Sequence, residues 1–467
     1  MKKITFLAVS LLAFIFSHAQ VGELWGMTQQ GGDSGKGVIF KYNVTSKQDS
    51  VVFNFKTTTS YSPSGSLIMA SDGNLYGMTS GGSFDNGSIF KCTPSGKYTT
   101  LVTFTTATGA QPLGSLIQAS DGNLYGMTKW GGTFGYGTLF KCTLAGSLTT
   151  LINFDGSTNG EYPYGSLIQA NDGNLYGNTQ SVGGAGTGTL FKCTISGTLT
   201  TLVNFSNNEP SASLVQGIDG YLYGMTSGGG SSTAYGTIFK CSTSGVLTTL
   251  VTFTGANGAY PYGNLIQGSD SNLYGTTYEG GTLDYGTIFK CTTSGTLTTL
   301  VSFAGTNGCY TECSLIQATD GNLYGMASSG GPQWTGGTSG YGTVFKCTTS
   351  GTFTTLVNFN DTVNGAYPYL GSLLEIHKPV GINNIKANTD KISVYPNPAS
   401  DKLNITIDAQ GSATITILDI TGKEVISESI SKGNNTISID VSSLSHGLYI
   451  VKVTTDKKVM TVKFEKQ

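Results

Sequence analysis

A fifty-residue repeat constrains this chain more than any other feature of its sequence. The motif Leu-Tyr-Gly, with Trp in place of Tyr in the first copy, recurs at intervals of 47 to 51 residues. Its leucines are Leu24, Leu75, Leu124, Leu175, Leu222, Leu273 and Leu323. A period of that length indicates a repeat architecture in which each unit is one supersecondary element.

One full unit, residues 115–154, contains four short segments with the composition of β-strands. They read SLIQA, NLYGMT, GTLFKCT and SLTTLINF. An Asp-Gly pair separates the first two segments and an Ala-Gly or Ser-Gly pair separates the last two, and such pairs favour tight hairpins. Four antiparallel strands per unit are typical of a propeller blade.

The strand count predicts that the repeats close on themselves. The chain begins on the second strand of a unit, and its missing first strand appears only after the last repeat, at residues 371–374. We expect this strand to complete the blade that begins at Gly22. The prediction is an all-β fold, a seven-bladed propeller of four-stranded blades whose ring is closed by the C-terminal end of the repeats.

The amino terminus predicts a secretory signal peptide. Lys2 and Lys3 precede an apolar run, which ends before the small-x-small cleavage pattern Ser17-His18-Ala19. The run is too short to span a bilayer, which takes roughly 20 apolar residues. We therefore expect an exported protein without a transmembrane segment.

The repeat resembles the GloVer-type tandem repeat of bacterial extracellular proteins. The resemblance rests on GSLIQASDGNLYGMT, YGTIFKCT and GTLTTLVNF. It implies an extracellular repeat fold and supplies no reaction.

The last segment loses the period and alternates apolar with polar residues, which is typical of a compact, Ig-like β-sandwich. It resembles the type A sorting domain of the type IX secretion system through Tyr395, Pro396, Asn397, Pro398, Gly422, Gly447 and Tyr449. The resemblance implies a Bacteroidetes-like source and handling by the type IX machinery and its surface sortase. The product would be secreted or held on the outer cell surface after passing through the periplasm.

The domain prediction follows from these signals. Residues 1–19 form the signal peptide and residues 20–377 the propeller of seven repeats. Residues 378–391 form a linker, and residues 392–467 form the sorting domain.

Composition excludes several functions. All 25 basic residues are lysine, so no arginine can form bidentate contacts with phosphate, and residues 21–377 carry 12 lysines against 18 acids. The three histidines, His18, His377 and His446, lie outside the repeated strands. We predict no nucleic-acid partner, no metal, no cofactor and no histidine-based catalytic site.

Three residue types recur at fixed places in the repeat, lysine in seven units and aspartate and cysteine in six each, and we interpret each as structural. Aspartates occupy the first hairpin turn, where their side chains bond nearby amides. Cysteines such as Cys142 act as small buried side chains, and the preceding lysines extend along a blade edge.

The ligand-binding prediction concerns the face that carries the longer loops, since loops on a rigid scaffold often bind ligands. Exposed aromatic rings suit sugars or protein partners. The repeated Tyr-Pro-Tyr segments also suit packing between blades. The candidates are Phe84, Trp130, Phe134, Tyr278, Glu279 and Trp334.

Two functions follow as hypotheses. The first is a non-enzymatic binding or adhesion protein for a glycan or protein ligand. The alternative is a carbohydrate-active hydrolase or lyase that uses Glu279, Asp284 and Tyr285. Separately, Cys309 and Cys313 replace Ala259 and Gly263 of the preceding unit, and a local disulfide bridge between them is one of two open outcomes.

Overall fold

The fold is described from a computed structural model of the chain. It describes residues 22–58, 60–81, 86–182, 188–206, 209–210, 212–228, 235–376, 392–407, 413–419, 424–430, 436–445, 447–455 and 459–466. The chain divides into two compact units, Met1–Lys378 and Pro379–Gln467. Within the described ranges no helix is long and apolar enough to cross a membrane.

The first unit is built from short strands separated by turns. The strands of its first three sheets and the closing strand are β1 (Glu23–Thr28), β2 (Val38–Asn43), β3 (Gln48–Asn54), β4 (Pro63–Met69), β5 (Leu75–Thr79), β6 (Ser88–Cys92), β7 (Tyr98–Thr103), β8 (Ile117–Gln118), β9 (Leu124–Thr128), β10 (Thr138–Cys142), β11 (Leu148–Asn153) and β29 (Leu374–Ile376). The strands between them are β12 (Glu161–Pro163), β13 (Ile168–Gln169), β14 (Leu175–Ser181), β15 (Thr189–Cys193), β16 (Leu199–Asn204), β17 (Val215–Gln216), β18 (Leu222–Thr226), β19 (Thr237–Cys241), β20 (Leu247–Thr252), β21 (Ile266–Gln267), β22 (Leu273–Thr277), β23 (Thr287–Cys291), β24 (Leu297–Ser302), β25 (Ile316–Gln317), β26 (Leu323–Ala327), β27 (Thr343–Cys347) and β28 (Phe353–Asn358).

These strands form seven antiparallel sheets in the described part of the first unit. Six of them have four strands, and the sheet of β13–β16 gains β12 as a fifth. Each third strand meets its fourth with a register shift at the Phe of the Phe-Lys motif, as between Leu139 and Phe140. Such a bulge increases the local twist of the sheet.

The first sheet combines the two ends of the repeat region. Its order is β29-β1-β2-β3, and β29 pairs antiparallel with β1 in the register Leu374 to Trp25. The strand predicted after the last repeat, β29, therefore pairs with β1, the strand with which the first repeat begins.

The Leu-Tyr-Gly strand is buried along its whole length because it lies inside its sheet. In β9 all five residues are buried. Its glycine makes room for an aromatic ring, since a Cβ at Gly126 would lie 2.6 Å from the ring of Phe140. The same close approach recurs at Gly77 and Gly224, so the glycine of the motif is required for packing.

Apolar clusters join each sheet to the next. Tyr76 and Met78 of one sheet pack with Leu124, Phe140 and Cys142 of the following sheet. The series includes a cluster between the last sheet and the first, where Tyr324 and Met326 meet Leu24 and Phe40. Every sheet thus buries both of its faces against neighbours.

A second series of contacts runs through the inner, first strands. The backbone amide of each donates to a side-chain oxygen of the next sheet, at 2.7 Å from Ser66 to Ser115. The last member returns to the first, because the Ser372 amide donates to Ser66 Oγ at 2.8 Å. We call this set the inner ring, whose members are Ser66, Ser115, Ser166, Ser213, Asn264, Ser314 and Ser372. One link differs, since the Ser314 amide donates to the Gly371 carbonyl at 3.0 Å.

The recurring aspartates and lysines, interpreted separately from the sequence, are joined in the structure. In one unit Asp121 accepts hydrogen bonds from Tyr125 at 2.9 Å and from Lys141 at 2.8 Å. The Lys141 ammonium and neighbouring amides hold the pKa of Asp121 well below its ordinary value, against the opposing effect of burial. Equivalent ion pairs join Lys91 to Asp72, Lys240 to Asp219, Lys290 to Asp270 and Lys346 to Asp320. The lysine therefore fastens the third strand to the first hairpin of its own sheet.

The six cysteines at the repeated strand position are fully buried and carry free thiols, as predicted. Burial raises the pKa of Cys142 to about 11. They pack among apolar side chains at the junctions between sheets.

The second unit contains two sheets. Its strands are β30 (Ile392–Tyr395), β31 (Lys402–Ile407), β32 (Ala413–Leu418), β33 (Glu424–Ile430), β34 (Thr436–Asp440), β35 (Gly447–Thr455) and β36 (Val459–Lys466). The sheets have the orders β30-β31-β34 and β33-β32-β35-β36. Both contribute to one apolar core that includes Leu403, Ile405, Ile417, Val451 and Phe464.

The motif glycine gives a test of this packing. Gly126→Ala is expected to lower the free energy of unfolding by about 1–3 kcal/mol, because the new methyl group must displace the Phe140 ring. Urea unfolding of the full chain measures the change. Gly228→Ala is the matched control, since nothing lies within 4 Å of a Cβ there. Equal losses for the two variants would contradict the packing role.

Candidate functional site

A central cavity of about 760 Å³ lies among the first strands of the first unit. Members of the inner ring line it together with aliphatic side chains such as Ile168, Ile266 and Leu374. The hydroxyls of the inner ring already accept hydrogen bonds from neighbouring sheets. Most polar groups of the cavity wall therefore already have hydrogen-bond partners. The side chains that differ between repeats lie at the end of the cavity that the inter-sheet connections form.

An unusual backbone conformation positions those connections. The residue before the Pro-x-Gly segment has a positive φ, for example 56° at Tyr162 and 52° at Tyr260. Its amide donates to a carbonyl of the preceding sheet, as from Tyr162 to Tyr136 at 2.9 Å. Left-handed backbone is uncommon in residues other than glycine, so these contacts hold a costly conformation in place.

Four side chains occupy the position two or three residues before the inner ring. They are Tyr164, Tyr262, Glu312 and Tyr369, and we call them the mouth cluster. Tyr164 and Tyr262 line a small void together with Ser166, Ser213 and Asn264 of the inner ring. The mouth cluster therefore lies at one end of the central cavity.

The mouth cluster brings distant repeats together. The hydroxyls of Tyr164 and Tyr369 lie 3.0 Å apart although 205 residues separate them in sequence. Burial, and after it the charge of Glu312, raises the pKa of Tyr262 and that of Tyr278, the latter to about 12. The carboxyl group of Glu312 is thus close enough to act on several phenols.

Glu312 is the chemically distinctive member of the cluster. Burial raises the pKa of its carboxyl group to about 7. Among the described residues, no cation or hydrogen-bond donor is paired with that carboxyl group, whereas the Glu312 backbone amide donates to Ser328 Oγ at 3.3 Å. The neighbouring hydroxyl of Thr311 is also buried without a hydrogen-bond partner. A desolvated carboxyl group without a partner is costly to the folded protein and available to a ligand.

A row of ring contacts extends outward from the mouth cluster. Successive ring centroids lie 5.5, 5.0, 5.8 and 5.1 Å apart. The rings of this aromatic row are Tyr262, Tyr278, Tyr310, Tyr285 and Trp334. Each ring is only partly buried, so the row presents a broken apolar surface.

The structure brings three of the six sequence candidates into this region. Tyr278 and Trp334 belong to the aromatic row, and Glu279 follows Tyr278 directly. Burial, and then the charge of Asp284, raises the pKa of Glu279. The Trp334 side chain is held within its own loop, because its Nε1 donates a hydrogen bond to the Gly337 carbonyl at 3.0 Å.

The other candidates lie apart from the aromatic row. Trp130 is 39% exposed and packs on Tyr162 with ring centroids 4.4 Å apart. Lys129 lies beside it, with Nζ 5.6 Å from the centre of the Tyr164 ring, and burial lowers the pKa of Lys129. Phe134 is 57% exposed, and Phe84 lies outside the described residues. Binding by any of the six candidates stays a prediction.

The cysteine pair lies next to the mouth cluster. Cys309 and Cys313 are fully buried, and both carry free thiols in this structure. Cys309 Sγ lies 3.8 Å from the Gly337 carbonyl oxygen, and burial raises the pKa of both thiols to about 12. A bridge formed between them after export stays a prediction.

Sequence reasoning missed Glu312 and Lys129 as site residues. The missed signal is positional. The residues that follow the Pro or Thr of the seven connections are Ser64, Leu113, Tyr164, Ser211, Tyr262, Glu312 and Tyr369. Only one of these is charged. Aligning the repeats on the inner ring would have isolated that acid.

The predicted sorting residues lie in the second unit. Asn397 Oδ1 accepts a hydrogen bond from the Glu465 amide at 2.9 Å, and Tyr449 stacks on Phe464. Tyr395 ends β30, and Gly447 begins β35. Pro396 and Pro398 flank Asn397, and Gly422 lies outside the described residues.

Comparison with known families identifies both units. The model of the Gloeobacter/Verrucomicrobia repeat matches residues 14–171 and 157–336 in tandem. The model of the secretion system C-terminal sorting domain matches residues 393–467. No curated protein matches the chain.

Solved structures resemble the first unit at low sequence identity. A protein of Bacteroides uniformis, provisionally assigned as a 6-phosphogluconolactonase, is 17% identical with a TM-score of 0.53, and the match covers 76% of this chain and 99% of that one. A protein of Bacteroides fragilis with the same provisional assignment is 18% identical with a TM-score of 0.51, covering 76% and 98%. At this identity the likeness shows the fold alone, which is propeller-like.

The pKa of Glu312 gives a test of the site. Because that pKa lies above its ordinary value of 4.5, the folded protein binds this proton more tightly than the unfolded chain does. The resulting stability is present below the ordinary value and is lost as the pH rises through about 7. Glu312→Gln should therefore raise the melting temperature relative to the natural chain at about pH 8, and much less at about pH 5.

Thermal unfolding of both proteins across that pH range measures the difference. Asp361→Asn is the control, since Asp361 is another carboxylate of an inter-sheet connection and its φ of 30° suits asparagine. A melting-temperature difference for Glu312→Gln that does not change with pH would show that the carboxyl group is well solvated.

Proposed function

The chain belongs to the Gloeobacter/Verrucomicrobia repeat family and ends in a secretion sorting domain, and we propose that it is a non-enzymatic surface or secreted protein that binds a glycan or protein ligand. The observation that carries the proposal is the mouth cluster with its attached aromatic row. The proposal has three parts: export, a closed propeller and a ligand site at the mouth cluster.

Export follows from the second unit. A type IX sorting domain implies transport to the cell surface or secretion. Of the proposed sorting residues, Tyr395 ends β30 and Gly447 begins β35, and both strands belong to the second unit's own sheets. Signal-peptide cleavage near residue 20 and recognition by the surface sortase are parts of the same proposal.

The closed propeller is supported by three independent series of contacts. Strand β29 pairs with β1, an apolar cluster joins the last sheet to the first, and Ser372 returns to Ser66. Each series would leave unpaired groups if the seven sheets formed an open array. We infer seven blades around the central cavity.

Ligand binding at the mouth cluster is supported by its departure from the repeat. The scaffold positions are nearly identical in every blade, whereas the mouth position is tyrosine in three blades and a different residue type in the others, with Glu312 its one charged residue. Aromatic rings with one open face contribute strongly to binding, and a carboxyl group without a partner adds polar specificity.

A second candidate function is a carbohydrate-active enzyme. It is favoured by one observation, the raised pKa of Glu312 together with that of Glu279, because a general acid must hold its proton near neutral pH. Of the residues suggested by sequence, Asp284 is engaged in its own loop, where it accepts the Gly280 amide at 2.8 Å. Release of reducing ends from a polysaccharide, abolished in Glu312→Gln, would favour this function over simple binding.

Ring closure is tested by breaking the pairing of β29 with β1. Leu374→Pro combined with Ile376→Pro removes amide donors from the closing strand and exposes an edge of the first sheet. The loss of stability should far exceed the roughly 0.5 kcal/mol of an ordinary surface change.

Calorimetry of the full chain measures the transition of the first unit. The control variant carries two prolines at the same spacing in β30, Ile392→Pro and Val394→Pro, which should perturb only the second unit. If the closing-strand variant melts at the natural temperature, the closed ring is wrong.

Ligand binding is tested on arrays of glycans and matrix proteins with the purified full chain. Tyr278→Ala should weaken binding of any ligand found by about ten-fold or more, because a central ring of the platform is lost. Tyr221→Ala is the matched control, an exposed tyrosine in a hairpin turn rather than in the aromatic row. The absence of any ligand, combined with cleavage of a polysaccharide, would favour the enzyme instead.

A further inference from the structure

The residues of the mouth cluster indicate the charge of the ligand group that would bind there. The Glu312 side chain is partly buried, its carboxyl group has no partner among the described residues, and its charge acts on the phenols of three tyrosines, Tyr164, Tyr262 and Tyr369. Phenol hydroxyls can donate to a carboxylate but do not neutralise it. The missing partner is a cation, since a buried carboxylate is stabilised most by a charge-assisted hydrogen bond.

Aromatic faces add to the preference for a cation. The faces of tyrosine rings attract ammonium groups, and the attraction increases where water is excluded. Tyr164, Tyr262 and Tyr369 accompany Glu312 in the mouth cluster, and the charge of Glu312 acts on all three. Residues 21–377 also carry a net charge of −6, from 12 lysines and 18 acids, which attracts cations over longer distances.

The aromatic row indicates what carries the cation. Its partly exposed rings extend from Tyr262 to Trp334 and offer successive apolar surfaces of the kind on which sugar rings lie. The hydroxyls of Tyr164 and Tyr369 lie 3.0 Å apart on partly buried side chains, and they can exchange hydrogen bonds with ligand hydroxyls.

We propose that the mouth cluster binds the protonated amine of an amino sugar at Glu312, while further sugars of the same oligosaccharide lie along the aromatic row. This inference rests on the proposed binding function and narrows its ligand class. Lys129 does not supply the missing charge, because its ammonium lies beside Trp130 and the Tyr164 ring and forms no ion pair with Glu312 in the described part of the chain.

The test compares two oligosaccharides that differ only at nitrogen. A β-1,4-linked glucosamine hexamer carries free amines, and the N-acetylglucosamine hexamer of the same linkage is uncharged. Calorimetric titration of the full chain near neutral pH should show the free amine bound about ten-fold or more tightly than the acetylated hexamer. Glu312→Gln should abolish that preference, and Asp361→Asn should retain it.

The preference should also respond to pH and salt. The groups that act on or adjoin Glu312 are Tyr164, Tyr262, Tyr278, Tyr369 and Cys313, all with raised pKa values, so they stay neutral near pH 7. Binding of the free amine should therefore strengthen as Glu312 ionises and weaken again at higher pH, where the sugar amine loses its proton. Added salt should weaken it in the natural chain and have little effect in Glu312→Gln.

The outcomes separate this inference from the function on which it rests. Equal binding of the two hexamers, or a preference that survives in Glu312→Gln, overturns the amino-sugar site and leaves glycan binding intact. Binding of neither hexamer, with another ligand found on the arrays, overturns the inference alone. An oligolysine peptide that binds as tightly and with the same dependence on Glu312 would show that the site recognises amines on proteins.

The Glu312→Gln variant must remain as stably folded as the natural chain. Glu312→Gln must unfold at the natural temperature or higher, because it removes only a desolvated charge. Lys129→Gln gives an independent check, since it keeps Glu312 in place. It should retain the preference for the free amine, and loss of that preference would assign the recognition to Lys129 instead.

Discussion

Each sheet of the first unit has two apolar faces, and only a neighbouring sheet can cover them. The second strand is buried throughout, with Tyr125 directed to one junction and Leu124 to the other. A single four-stranded repeat would expose both faces, so the repeats are stable only when they are stacked. In the proposed closed ring, the contacts between the last sheet and the first would remove the two exposed ends that an open stack keeps. Three repeated features serve this packing. The motif glycine leaves room for an aromatic ring, the bulge increases the twist of the sheet, and the Asp–Tyr–Lys contacts join the third strand to the first hairpin.

Much of this scaffold is predictable from sequence because the information is local. The four strands of a unit follow from alternation and hairpin pairs, and the position of the closing strand follows from counting. The ion pair between Lys141 and Asp121 was not predicted, since it joins a strand to a turn 20 residues away and depends on sheet register. Glu312 was overlooked for a similar reason. Its approach to Tyr164 and Tyr262 depends on the left-handed backbone at Tyr310 and on the arrangement of distant sheets. Composition carries no signal for either feature.

Symmetry of the scaffold and asymmetry of the mouth cluster are complementary. The inner ring needs a short polar side chain in each sheet, serine in six sheets and asparagine in one, because the amide of a neighbouring sheet donates to its oxygen at all but one of the links. The positions just before it make no such contact and can vary without loss of the ring. In the proposed ring, a ligand smaller than the ring would touch only some of the sheets, so its site would have to depart from the repeat. Tyr278, Glu312 and Trp334 do so on adjacent sheets.

The thiols of the first unit must resist oxidation if the protein is exported. Oxidising surroundings favour disulfides and oxidised cysteine, and both reactions proceed through the thiolate. Burial raises the pKa of Cys92, Cys193 and Cys291 to about 11, so almost no thiolate exists near neutral pH. Each thiol also lies within its own apolar junction between sheets. The same burial applies to Cys309 and Cys313, whose pKa values are raised to about 12. Oxidation of this pair therefore requires opening of the connection that carries Glu312, and a ligand held at Glu312 would oppose that opening.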